Sequence, residues 1–116
     1  MRETICEISS YQNDAKDLFT ESEQNGLIDY LSMFPRSGDL IVGTGGVRKL
    51  RWARGGRGKS AGARVVYYFH DSRIPLYLLA VFGKNDKVNL SKDERNELAK
   101  LVDILVDTAL SKGNNE

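Results

Sequence analysis

The chain has 116 residues and a mass of 13.0 kDa, enough for one real hydrophobic core and not for two. Hydrophobic content of 41% and charged content of 28% are those of a folding globular chain, and a formal net charge of +1 gives no whole-molecule sign of a polyanion partner. The single cysteine, Cys6, excludes an internal disulfide and a cysteine-built zinc site. The polar start Met1-Arg2-Glu3-Thr4 and the lack of any apolar run near about 18 residues point to a soluble cytoplasmic protein with no membrane partner.

Thr4–Ile8 is short and β-prone, with Cys6 and Ile8 on one face, and is the first expected strand. Ser9 and Ser10 are candidate caps for a short helix carried by Tyr11, Ala15, Leu18 and Phe19. Thr20 and Glu23 form a capping box for a second helix, whose apolar stripe is Leu27, Leu31 and Phe34. Gly26 weakens that helix and Pro35 stops it. Positions 36–46 read as loop. A three-stranded antiparallel meander follows. Leu50 and Trp52 share one face of its first strand, and Val47, Lys49 and Arg51 share the other. The glycine-rich tip at 53–62 is too long for a tight hairpin and is expected to be mobile. Arg64, Val66 and Tyr68 then alternate with Val65, Tyr67 and Phe69. Residues 70–73 turn the chain, and 76–82 are apolar enough for a central strand covered on both faces. Ser91 and Glu94 cap a final helix with its stripe at Leu98, Leu101, Val102, Leu105 and Ala109, which Gly113 is expected to end. The expected order is β-α-α-β-β-β-α, a single α+β domain over residues 1–116.

Charge is unevenly spread. Arg48, Lys49, Arg51, Arg54, Arg57, Lys59 and Arg64 lie together with no acidic residue among them. A polyanion responds to the local field, and clustered arginine forks hold phosphates through paired hydrogen bonds. RNA is therefore the expected partner. Alternation places Lys49 and Arg51 on one strand face, where Arg64 and Lys84 can join them. Trp52, Tyr67, Tyr68 and Phe82 are the nearby aromatics available for base stacking or for the core.

Two other patterns fail on context. Residues 53–60 (ARGGRGKS) fit a relaxed phosphate-loop string, but a β-branched and aromatic run follows where such a loop needs a helix. His70 is the only histidine and sits in a turn, so acid–base chemistry by a histidine pair is excluded, and no His/Cys/Asp cluster suggests a metal or other cofactor. RNA cleavage by this chain would rest on cations. Lys49, between Arg48 and Arg51, is the clearest case, because a neighbouring positive charge disfavours the charged form of an amine. Arg64 and Lys84 would stabilise the negative charge that builds on a pentacovalent phosphate.

The runs Gly43–Arg51, Gly62–Phe69 and Tyr77–Asn85 resemble the RelE/HigB toxins of the RelE/ParE superfamily, most strongly over about residues 38–101 and with the HigB-type members as the nearest in feel. The resemblance implies a RelE/ParE-like antiparallel-rich curved sheet packed against helices. It also implies a type II toxin that acts as a ribosome-dependent mRNA interferase, cutting the A-site message by 2′-hydroxyl attack without metal. By position, Lys49 and Arg51 match two family lysines, Arg64 the transition-state arginine, and Lys84 the basic residue after the strand-end glycine. These four are the candidate catalytic residues, with Arg48, Arg54, Arg57, Lys59, Tyr68 and Asn85 as candidate RNA contacts. Asn85 stands where RelE has an arginine, and Ser91 where it has a tyrosine. The partners implied are the 70S ribosome, mRNA, and a cognate HigA- or RelB-like antitoxin that is acidic or DNA-binding. ParE-like gyrase inhibition, or noncatalytic RNA or ribosome binding, is the alternative carried by the same fold.

Overall fold

A computed structural model describes residues 2–52, 62–83 and 90–114, with side chains to residue 111. The elements run β1 (Ile5–Glu7), α1 (Ser9–Leu18), α2 (Glu21–Met33), β2 (Asp39–Leu40), β3 (Val47–Trp52), β4 (Ala63–Tyr68), β5 (Leu76–Gly83) and α3 (Lys92–Asn114). Four of the strands and all three helices follow the sequence expectation. The five strands form one mixed sheet in the order β1-β5-β4-β3-β2. The three-strand meander is antiparallel, and β1 joins β5 in parallel. In place of the expected simple loop at 36–46 lies β2, which is exposed and only two residues long. It carries no periodicity of its own, because pairing of Asp39 with Lys49 and Leu40 with Arg48 creates it.

The glycine run has a structural task at this point. Thr44 is buried, donates from Oγ1 to the Ile41 carbonyl and accepts from the Val47 amide, while the Ile41 amide bonds the Val47 carbonyl. Closing that turn needs left-handed backbone, and Gly46 takes φ 120° with the Tyr68 ring close by. The turn fixes the register of β2 on β3.

The apolar side chains pack on both faces of the sheet, where composition alone suggests a single core. On one face, Tyr11 and Ala15 of α1 and Leu27 and Leu31 of α2 cover Val65, Tyr67, Leu76 and Leu78. On the other, Val102 and the half-buried Leu98, Leu101 and Leu105 of α3 cover Val47, Val66, Tyr68, Tyr77 and Leu79. This accounts for the continuous apolar run of β5, which lies between β1 and β4 with cover above and below.

Helix ends decide several local details. Thr20 and Glu23 make the expected capping box, as do Ser91 and Glu94 at the start of α3. For α1 the expected serine cap is corrected. Ile8 occupies the cap position without a side-chain bond, and Ser10, inside the helix, donates to the Leu79 carbonyl. Phe34 is also corrected: it lies past the last turn of α2 and is 52% exposed. Gly113 does not end α3, which runs on to Asn114.

Candidate functional site

The register assembles the site. Antiparallel partners share a face, stand about 5 Å apart, and repeat about 7 Å along the strand. Val47, Tyr68 and Tyr77 form one cross-strand row, buried under α3. The next row on the same face is Asp39, Lys49, Val66 and Ala80, and the one after it is Arg51, Arg64 and Phe82. Lys49, Arg51 and Arg64, singled out by alternation, are therefore neighbours on one face. Arg51 is exposed, whereas Lys49 and Arg64 are half-buried. Arg64 also donates to the Gly62 carbonyl at 3.2 Å. Lys84, Asn85, Arg54, Arg57 and Lys59 lie outside the described residues.

Two expected RNA contacts have other occupations. Arg48 points to the opposite face and donates to the carbonyls of Arg36 and Gly38, at 3.1 and 2.7 Å. It ties the α2–β2 connection to β3. Tyr68 is 5% exposed, packs beneath α3 and shares a hydrogen bond with His70 Nδ1 at 3.0 Å, so it presents no stacking face. The Tyr67 ring, on the other face, is fully buried, and its hydroxyl accepts from the Gly38 amide at 2.8 Å. Burial raises the Tyr67 phenol above its ordinary range, against the lowering effect of that amide.

His70 stands apart from the site. It follows the Tyr68 end of β4, six residues beyond Arg64 and on the order of 20 Å along an extended chain. It contacts Asp71 and Arg73 in the β4–β5 turn. There the Arg73 guanidinium, bonded to the Asp71 carboxylate, holds that carboxyl down at about 2. The cluster shapes a turn, as the sequence suggests. Ser91 serves as the α3 cap.

Sequence reasoning missed Asp39 and Tyr30. Both line a cleft of about 560 Å³ that runs over the edge of β3 beyond the end of β2, together with Ser37, Gly38, Lys49, Leu50, Arg51 and Trp52. Asp39 gives no local signal, because only β2 pairing sets it opposite Lys49. On the far side of Arg64, a cleft of about 530 Å³ opens beneath the first turns of α3, lined by Val66, Ala80, Phe82, Leu98 and Leu101 and by the acidic Asp14, Glu94 and Glu97. Among the described residues, no group of three or more His, Cys, Asp or Glu side chains is gathered as a metal site, and no helix is long and apolar enough to cross a membrane.

The phosphate-loop string is followed by strand β4, which removes the helix that such a loop requires. Among solved structures, the free E. coli toxin RelE, as a double arginine-to-alanine mutant, superimposes with a TM-score of 0.55 over 75% of this chain and 88% of its own. At 14% identity that likeness speaks for the fold. The family model described as the RelE toxin of the RelE/RelB toxin–antitoxin system matches residues 38–114, which span β2 to the end of α3 and contain Lys49, Arg51 and Arg64. The chain belongs to the RelE toxin family of toxin–antitoxin systems.

Proposed function

We propose that this toxin is a ribosome-dependent mRNA endoribonuclease that arrests translation by cutting the message in the ribosomal A site. One observation carries the reading: the β3–β4 register puts Lys49, Arg51 and Arg64 side by side on one face of the sheet. Three cations so placed match one phosphate and its neighbours better than they match any stabilising role. In the reaction, the ribose 2′-oxygen bonds to phosphorus, the bond from phosphorus to the 5′-oxygen breaks, and one proton passes from the first oxygen to the second. A 2′,3′-cyclic phosphate and a 5′-hydroxyl remain. Lys49 serves the proton transfer, and Arg51 and Arg64 hold the phosphate oxygens as negative charge builds on them. Lys84 is assigned to the same charge by its place in the sequence pattern. The antitoxin expected of a RelE-family toxin, RelB- or HigA-like, would silence the protein by covering this face or by blocking entry to the A site.

Brief induction followed by mapping of mRNA 5′ ends tests the proposal. New ends inside reading frames are expected with the native chain and not with Arg64→Ala or Lys84→Ala. Unchanged cutting and growth arrest in both variants would overturn the assignment. Growth arrest with intact messages and DNA-damage signalling would move the reading to gyrase.

A further inference from the structure

The cleft over the edge of β3 has two unlike walls. Tyr30 and Trp52 supply one, with ring centroids 5.4 Å apart and planes at 43°, and Phe34 continues the aromatic strip at 5.2 Å from Tyr30. Lys49, Arg51 and Asp39 supply the other. Aromatic rings beside cations are what an unpaired nucleotide requires, the base stacking on one ring face and the phosphate meeting the charges. A volume of about 560 Å³ lies in the usual range for small-ligand clefts.

The carboxylate is the unusual member. Asp39 is exposed, faces Lys49 across the β2–β3 register, and forms no ion pair with it among the described residues. On a surface that attracts RNA, a negative charge opposes the phosphate and needs a different partner. A carboxylate only accepts hydrogen bonds. Of the four RNA bases, guanine alone presents two adjacent donors on its Watson–Crick edge, N1–H and the 2-amino group. Adenine and cytosine offer one amino group beside an acceptor, and uracil one imide N–H between two carbonyls. Resting on the nuclease reading above, we propose that this cleft seats an unpaired guanine next to the phosphate held by Lys49 and Arg51, stacked on one ring of the Tyr30–Trp52 pair and read by Asp39.

Trp52 is the only tryptophan of the chain, so its fluorescence reports on the cleft directly. The full-length toxin is titrated at low salt with GMP, IMP, AMP, CMP and UMP. GMP should quench saturably and bind about tenfold more tightly than AMP, the gain expected of hydrogen bonds to a charged acceptor. IMP, which lacks the 2-amino group, should fall between them. Asp39→Asn should erase the preference while quenching persists, and Tyr30→Ala should weaken all five nucleotides together. Equal quenching by every base, or a preference that survives Asp39→Asn, would overturn the proposal. So would silence toward all five with quenching by the cognate antitoxin, an outcome that assigns the cleft to a protein contact. The titration involves neither ribosome nor cleavage, so its failure would leave the mRNA-end mapping to decide the nuclease reading separately.

Discussion

Arg51 and Arg64 stand directly opposite one another on adjacent strands, paired in register across β3 and β4. Like charges in that position repel, and no acidic residue shares their row, whose third member is Phe82. A fold selected for stability alone would alternate signs here. Replacing either arginine by glutamine or threonine should raise stability in urea by about 0.2–1 kcal/mol while removing mRNA cleavage. A variant that loses stability and cleavage together would mean that the pair is structural.

Gly38 is the point where the site meets the core. A methyl group there would approach the Tyr67 hydroxyl to 2.8 Å and the Lys49 carbonyl to 3.0 Å. Gly38→Ala should therefore displace β2 and cost about 1–3 kcal/mol by overpacking. Tyr67→Phe leaves the buried Gly38 amide without its acceptor, at a cost of roughly 1–3 kcal/mol. Equilibrium denaturation of both single variants and the double variant checks this, and the two losses should fall short of additive because they act on one contact.

Burial sets the alkaline limit of the fold. The phenols of Tyr11, Tyr67, Tyr68 and Tyr77 are all pushed above the ordinary tyrosine range of about 10, in each case chiefly by loss of solvent. At Tyr11 the Glu7 charge adds to the effect, and the buried hydroxyl has no hydrogen-bond partner among the described residues. The unfolded chain then releases these protons at lower pH than the native one. Stability is fully present below about pH 10 and falls as pH rises beyond it. Circular dichroism and tyrosinate absorbance should change together in one cooperative step above that pH. Tyrosinate absorbance worth more than one of the five tyrosines that rises early, while the fold persists, would contradict the burial.

On the nuclease proposal, the glycine-rich tip would supply a general electrostatic grip on RNA. Replacing Arg54, Arg57 and Lys59 together by alanine should lower the slope of log affinity for single-stranded RNA against log salt by about 2, at about 0.7 per phosphate contact. Cut positions on the message should stay where they were. A shift in cut positions would place the tip within the reactive site.

Alternation alone identified Lys49 and Arg51 as sharing a face, since a period of two is a property of the extended backbone. It also put Arg48 among the RNA contacts on charge, and charge is blind to which face a side chain takes. The carbonyls of Arg36 and Gly38 that occupy Arg48 come from a segment with no visible periodicity. Tyr68 shows the same limit from the other side. Its neighbour Tyr67 is equally aromatic, and only the placing of α3 on one face and of α1 and α2 on the other buries both.

What the sequence determined by itself is local: the two capping boxes, the strand faces, the breaks at Pro35 and at the glycine run, and the gathering of positive charge. Each depends on residues within a few positions of one another, where backbone geometry leaves few choices. The tertiary structure decided what crosses the chain. It set Arg64 beside Arg51, turned Asp39 toward Lys49 through a two-residue strand, and brought Tyr30 of α2 to the rim of the same cleft as Trp52. Those relations depend on register and on which elements cover each face of the sheet, and both are settled by long-range packing.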